Sequence, residues 1–236
     1  MKKLTYTDMI AHLGISSAHP GGSALTKNMF ATETILPEMK ILDIGCGTGQ
    51  TSAYLAKKYK AEIIAIDAHS TMIAKAKKRF EKADLDIKVI KANAEKLPFT
   101  DEIFDYIIAE SVIVFTNLTL SLPEWARVLK KSGKLLSIEM TAEDVLTNEE
   151  KKEIFDVYGV KKILLEEEWK EHFLKAGFSK VIIEKDNEQS KQQVIADKND
   201  PSSYIDPKLF EILQAHTDLL QKFQGRLGYR IYRCIK

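Results

Sequence analysis

From Lys40 onward, short apolar runs alternate with longer stretches whose apolar residues recur at helical spacing. The first texture fits buried strands and the second amphipathic helices, so the chain reads as βαβ units on a mostly parallel sheet. Strands are predicted at 40–45, 62–67, 87–91, 104–110 and 134–140, with helices at 49–59, 70–83 and 118–130. Pro98 keeps its connection short or irregular, because proline has no N–H for a helix interior. After Met140 the texture changes. Thr147 and Glu150 form a capping box for a helix at 148–158, and Gly177 stops another at 166–176. A strand at 178–184, a polar stretch at 185–206, a helix at 209–223 opened by Pro207 and a strand at 228–235 complete the pattern. With 236 residues, 44% of them hydrophobic, the chain can close one α/β core, and its length does not call for a second domain.

The run Ile41-Leu42-Asp43-Ile44-Gly45-Cys46-Gly47-Thr48-Gly49-Gln50 carries the most chemistry. A buried strand breaks there into a tight turn and then a helix. Alternating glycines permit positive φ and let backbone approach a ligand with no Cβ between them. The helix start adds unpaired N–H groups and partial positive charge, and such turns are where open α/β sheets hold nucleotide-like ligands. The dinucleotide fingerprint places its third glycine one position later, where this chain has Gln50. Asp43, expected half-buried beside the turn, suits a ligand with a cationic end better than a pyrophosphate. Asp67 closes the second strand 18 positions after Gly49. That is near the offset of about 20 at which a carboxylate accepts both ribose hydroxyls; the alternative for Asp67 is a helix cap.

The pattern Asp43-x-Gly45-x-Gly47-x-Gly49 resembles the cofactor motif of class I S-adenosylmethionine-dependent methyltransferases, and the resemblance covers most of the chain. Leu97-Pro98-Phe99 and Phe104-Asp105 resemble the ubiquinone/menaquinone-biosynthesis-like group. The resemblance implies a three-layer αβα, Rossmann-like fold whose seven-stranded, mostly parallel sheet has an antiparallel last strand. It implies S-adenosyl-L-methionine as cofactor, with Asp43, Gly45, Cys46, Gly47 and Gly49 around its methionine end. Asp67 and Ala68 then meet the ribose, and Met72 covers the adenine. Asn93 stands where the family usually has Asp, and its amide oxygen still accepts from the adenine amino group. The Ala94 N–H serves a ring nitrogen. His19-Pro20-Gly21-Gly22 ahead of a helical run through Phe30 matches a subset of small-molecule members in which this segment is a lid. That places Gly22 near the cofactor and makes His19 a candidate base. Residues 1–30 are expected as the lid, and 141–165 and 185–206 as substrate-side insertions on a single methyltransferase domain.

Candidates for the reacting centre come from strand ends. Glu110 and Glu139 end the fourth and fifth strands, where carboxylates accept a proton, hold a cationic amine, or cap a neighbouring helix. The Asn-Pro or Asp-Pro pair of amine-methylating members is missing. A sulfonium methyl is already electrophilic, so positioning and water exclusion leave little need for a catalytic dyad. His12, His69, His172 and His216 read as surface or packing residues, and Tyr6 lies near the lid.

Lys+Arg 35 against Asp+Glu 34 leaves a net charge of +1, without the basic excess that nucleic acid demands. Cys46 and Cys234 make neither a disulfide framework nor a metal set, which argues against arsenic methylation. No apolar run approaches the roughly 18 residues of a membrane span, and the N-terminus lacks the apolar core of a signal peptide. The expectation is a cytoplasmic methyltransferase with a small-molecule acceptor and no metal, its oligomeric state left open. The alternatives are a non-catalytic S-adenosylmethionine-binding sensor or scaffold, and a nicotinamide-dependent oxidoreductase on a similar sheet.

Overall fold

The computed structural model describes residues 3–185 and 199–236. Helices α1 (Tyr6–Leu13) and α2 (Gly22–Ala31) precede the sheet. There follow β1 (Lys40–Ile44), α3 (Gln50–Tyr59), β2 (Glu62–Asp67), α4 (Ser70–Lys82), β3 (Lys88–Lys91) and β4 (Phe104–Glu110). A 3-10 turn (Ile113–Phe115), α5 (Leu118–Val128) and β5 (Leu129–Ala142) come next. Then come α6 (Asn148–Tyr158), α7 (Glu166–Lys175), β6 (Lys180–Glu184), α8 (Lys208–Lys222) and β7 (Leu227–Ile235).

The sheet order is β3-β2-β1-β4-β5-β7-β6. Strands β1 to β5 pair in parallel, and β7 runs antiparallel to both β5 and β6. The chain winds outward from β1 to β3, then returns to place β4 on the other side of β1. The crevice beyond the carboxyl ends of β1 and β4 is therefore the switch point where such sheets bind ligands.

Strand residues divide by alternation between two cores. Leu42, Ile44, Ile66 and Ile107 pack with Trp125, Ile154, Trp169 and Phe173 of α5 to α7. Ile41, Ile63, Ala65 and Ile108 pack with Phe30, Leu55 and Phe80 of α2 to α4. Helices thus cover both faces, giving three layers.

The capping box forms as expected, with Thr147 accepting from the Glu150 N–H and Glu150 from the Thr147 N–H. One boundary moves. Helix α5 stops at Val128 and β5 starts at Leu129, ahead of the predicted 134, because fully buried Leu129 pairs with Phe104 in the sheet. Of the polar stretch 185–206, residues 186–198 lie outside the described residues. Its later part packs on the N-terminal segment: the Asp200 N–H donates to the Gly14 carbonyl (3.1 Å) and the Ser202 N–H to the His12 carbonyl (2.8 Å).

Candidate functional site

A cavity of about 860 Å³ lies beyond the ends of β1, β2 and β4, in the upper part of the range for small-molecule pockets. Asp43, Gly45, Cys46, Gly47, Asp67, Ala68, Met72, Asn93, Ala94, Glu110 and His19 all line it.

The glycines of the turn do different things. An added Cβ at Gly47 (φ 54°) meets nothing within 4 Å, so the backbone there faces open cavity. At Gly49 (φ 79°) it would stand 2.5 Å from Phe80 Cζ. Gly49 therefore packs α3 against α4 and, against expectation, is not among the lining residues.

Asp67 ends β2 with its Oδ2 accepting the Gly47 N–H (3.0 Å) and its Oδ1 the His69 N–H (2.7 Å). Burial raises its carboxyl above the ordinary range, and these N–H bonds oppose the shift. Lone pairs remain on both oxygens for a ligand diol. Asp43 is only 3% exposed rather than half-buried, and the Ser52 hydroxyl donates to it at 2.5 Å. Burial pushes its carboxyl up to about 7; the Ser52 bond opposes this, and the charges of Glu110 and Asp67 add to it.

Glu110 joins three elements. Its Oε1 accepts the Thr26 hydroxyl of α2 and its Oε2 the Thr51 hydroxyl of α3, both at 2.6 Å. His19 Nε2 lies 3.2 Å from Thr26 Oγ1 and 3.6 Å from Glu110 Oε1, while Nδ1 is 3.0 Å from the Pro20 carbonyl oxygen. The N-terminal segment is tied down again by Asp8 Oδ1 and His69 Nε2 (3.1 Å) and by Ser16 Oγ and Thr48 Oγ1 (3.0 Å). Ser17, between these ties, has φ 51° and lines the cavity. Its hydroxyl is buried with no partner among the described residues. In the loop after β3, Asn93 Oδ1 accepts the Glu95 N–H (2.9 Å) and the Ala94 carbonyl accepts the Trp125 indole N–H (2.8 Å), which fixes the turn.

Two further candidates stand off the cavity lining. Gly22 opens α2 and is not a lining residue. Glu139 is 0% exposed and also absent from the lining. It accepts the N–H groups of Val112 (3.1 Å), Ile113 (2.9 Å) and Val114 (3.4 Å) and the Ser137 hydroxyl (3.1 Å). It thus caps the 3-10 turn from below, and burial pushes its carboxyl up to about 7.

The far end of the cavity is one the sequence did not mark. Tyr6 of α1, Tyr158 of α6 and His216 of α8 line it together, beside Phe115, Met140 and Val160. No motif joins Tyr158 and His216, which stand 58 positions apart.

Around the whole cavity, the described lining residues include Asp43, Asp67, Glu95 and Glu110 but no Lys or Arg. A ligand with a cationic end fits this charge, and the bare backbone at Gly47 and the orphaned Ser17 hydroxyl leave a cradle for it. Among the described residues no group of three or more His, Cys, Asp or Glu is placed to hold a metal.

Comparison with known proteins agrees with this geometry. Residues 41–133 match a model described as a methyltransferase domain. The chain is 36% identical over 231 residues to the uncharacterized methyltransferase YodH of Bacillus subtilis, covering 98% of this chain and 99% of that one. It is 37% identical over 125 residues to the ubiquinone/menaquinone biosynthesis C-methyltransferase UbiE of Rickettsia typhi, a match spanning 50% of each chain. Its fold superposes with a TM-score of 0.73 on Haemonchus contortus phosphoethanolamine N-methyltransferase 2 in complex with S-adenosyl-L-methionine. That pair shares 18% identity, over 98% of this chain and 57% of the other.

Proposed function

Because the chain belongs to the class I S-adenosylmethionine-dependent methyltransferases, we propose that it methylates a small molecule held in the same cavity as the 45–49 turn. S-adenosylmethionine is its methyl donor, and when bound it supplies a methyl group on positively charged sulfur. In this reading Gly45, Cys46 and the bare backbone at Gly47 receive the amino-acid end. Asp43 and Glu110 provide the negative charge for the ammonium and sulfonium. Asp67 takes the ribose hydroxyls, Ala68 and Met72 pack on the nucleoside, and the Asn93–Ala94 loop meets the adenine edge.

Glu110 and His19 hold the lid against the sheet. Both Glu110 oxygens already accept threonine hydroxyls, and both His19 nitrogens lie against oxygen partners. Residues 1–30 serve as lid, since Tyr6 and His19 of this segment line the cavity. Rate then comes from placing donor carbon and acceptor in line within a site closed to water.

The observation that carries this reading is that one cavity is lined both by Asp43, Asp67 and Glu110 and by Phe115, Met140 and Val160, which gives donor and acceptor a shared space. A net charge of +1 and an acid-lined cavity favour a small molecule over nucleic acid. Two free, buried cysteines support a cytoplasmic setting, and among the described residues no helix is long and apolar enough to cross a membrane. The test is incubation with methyl-labelled S-adenosylmethionine and a metabolite extract. A labelled small product with matching S-adenosylhomocysteine is expected; cofactor binding without label transfer would return the sensor reading.

A further inference from the structure

The corner where α1, α6 and α8 meet contributes none of the residues assigned to the cofactor, yet it lines the same cavity. We propose that this corner recognises the methyl acceptor, and that the acceptor is an uncharged, apolar-bodied molecule whose hydroxyl hydrogen-bonds to the Tyr158–His216 pair. The proposal rests on the methyltransferase reading of the cavity and adds the acceptor's chemistry to it.

Three rings build the corner. Tyr6 and Tyr158 meet edge to face with centroids 4.8 Å apart, and His216 lies 5.4 Å from Tyr6 and 5.6 Å from Tyr158. Tyr158 Oη is 3.0 Å from His216 Nδ1. A phenol oxygen has one proton and two lone pairs, and an imidazole has a second nitrogen. One mutual bond leaves hydrogen-bonding capacity on both groups, and His216 Nε2 has no partner among the described residues.

Charge selects the class of acceptor. Burial pushes the Tyr6 phenol up to about 12, raises Tyr158 as well, and lowers the His216 imidazole, so all three rings are neutral near pH 7. The described lining holds no Lys or Arg to meet a phosphate or carboxylate. A buried anion without a partner is costly, so phosphorylated and acidic acceptors are disfavoured. An ammonium acceptor finds no aromatic cage at this corner. The edge-to-face packing of Tyr6 on Tyr158 fills the gap that an aromatic cage keeps open. The corner then offers apolar wall from Phe115, Met140 and Val160 with neutral polar groups set into it, the Tyr158–His216 pair among them. Such a site orients a molecule through one oxygen and rejects analogues lacking it, because buried Tyr158 and half-buried His216 would lose that partner.

The test uses the full chain saturated with S-adenosylhomocysteine and three probes of one ring system: 2-naphthol, 2-naphthoate and 2-naphthylmethylamine. Calorimetry is expected to show naphthol bound at least about tenfold more tightly than either charged probe. Y158F and H216F, which keep a ring in place, are each expected to lose about tenfold in naphthol affinity while S-adenosylhomocysteine affinity stays within about twofold, which also reports folding. Tighter binding of a charged probe, no naphthol binding, or unchanged naphthol affinity in both variants would overturn the proposal. A wild-type chain that fails to bind S-adenosylhomocysteine would overturn the cofactor reading as well. Intact cofactor binding beside any of the other failures overturns this inference alone.

Discussion

The two ends of the cavity are assembled in different ways. At the glycine-turn end, Asp43, Gly47, Asp67 and Glu110 sit at strand ends or in the turns directly after them, and a parallel sheet brings those ends together by topology alone. At the other end, Tyr6, Tyr158 and His216 come from α1, α6 and α8, whose meeting depends on how three separate helices pack. The first end is acidic, and its side chains are pinned by backbone and hydroxyl groups. The second is apolar and neutral. A scaffold that fixes one half by sheet topology and builds the other from helix packing can keep one donor while changing acceptors, as expected when specificity is grafted onto a common fold.

Glu139 separates the two carboxylates most strongly: it stands within β5, three residues before its end, and unlike Glu110 lies outside the cavity. Glu139→Ala would leave the buried N–H groups of Val112, Ile113 and Val114 without their acceptor. The expected cost is about 3 kcal/mol of folding stability, read from the denaturant midpoint, with S-adenosylhomocysteine affinity changed less than about threefold. A large affinity loss at unchanged stability would put Glu139 among the cofactor-end residues after all. Asp67→Ala should shift the balance toward binding, weakening S-adenosylhomocysteine by about 1–3 kcal/mol through lost charge-assisted bonds, with a smaller stability loss than Glu139→Ala because the Gly47 and His69 N–H groups it frees are only partly buried. Unchanged affinity would remove Asp67 from the site.

These pairs also show how much was legible in advance. Asp67 was legible because one βαβ unit fixes its distance from the glycine turn, so spacing in sequence becomes spacing in the structure. Strand and helix positions were legible for the same local reason, apart from the start of β5, where the sheet claimed Leu129. Glu110 and Glu139 were indistinguishable in sequence, since both were expected near strand ends, whereas β5 runs on to Ala142. What separates them is the 3-10 turn folding over one carboxylate, a tertiary event with no local signature. Gly47 and Gly49 likewise share a motif, and only Phe80 of α4 shows that one is for packing. His216 was out of reach. Its partner Tyr158 stands on another helix, and a lone histidine in an amphipathic stretch looks like any packing residue.

Acidity offers a subtler contrast. Asp43 and Glu139 are both pushed up to about 7, so each binds its proton more tightly folded than unfolded. The sign follows from linkage: without ligand, stability falls as pH rises from near 4 to about 7. A cationic ligand favours ionised Asp43 but does not touch Glu139. S-adenosylmethionine affinity should therefore rise with pH through this window, by at most about tenfold per unit, and flatten in Asp43→Asn but not in Glu139→Gln. Calorimetry in buffers of different ionisation enthalpy should also show a fraction of a proton released on binding at pH 7. A flat profile in the wild type would mean that Asp43 does not feel the ligand's charge.

The smallest effect expected is the most discriminating for the lid. Ser17 holds a buried hydroxyl without a partner at φ 51°, one residue from the Ser16 tie to the glycine turn. An orphaned buried hydroxyl costs stability, so Ser17→Ala should leave the free protein as stable or up to about 1 kcal/mol more stable. If that hydroxyl instead serves the amino-acid end of the cofactor, the same variant should weaken S-adenosylhomocysteine by about 1 kcal/mol. Affinity for 5′-methylthioadenosine, which lacks the amino acid, should not change. Opposite signs in stability and affinity are what a ligand-facing group produces, because the cost carried by the empty site is recovered on binding. Equal losses for both nucleosides would instead place Ser17 against the ribose or adenine, and loss of stability without loss of affinity would make it a structural part of the lid.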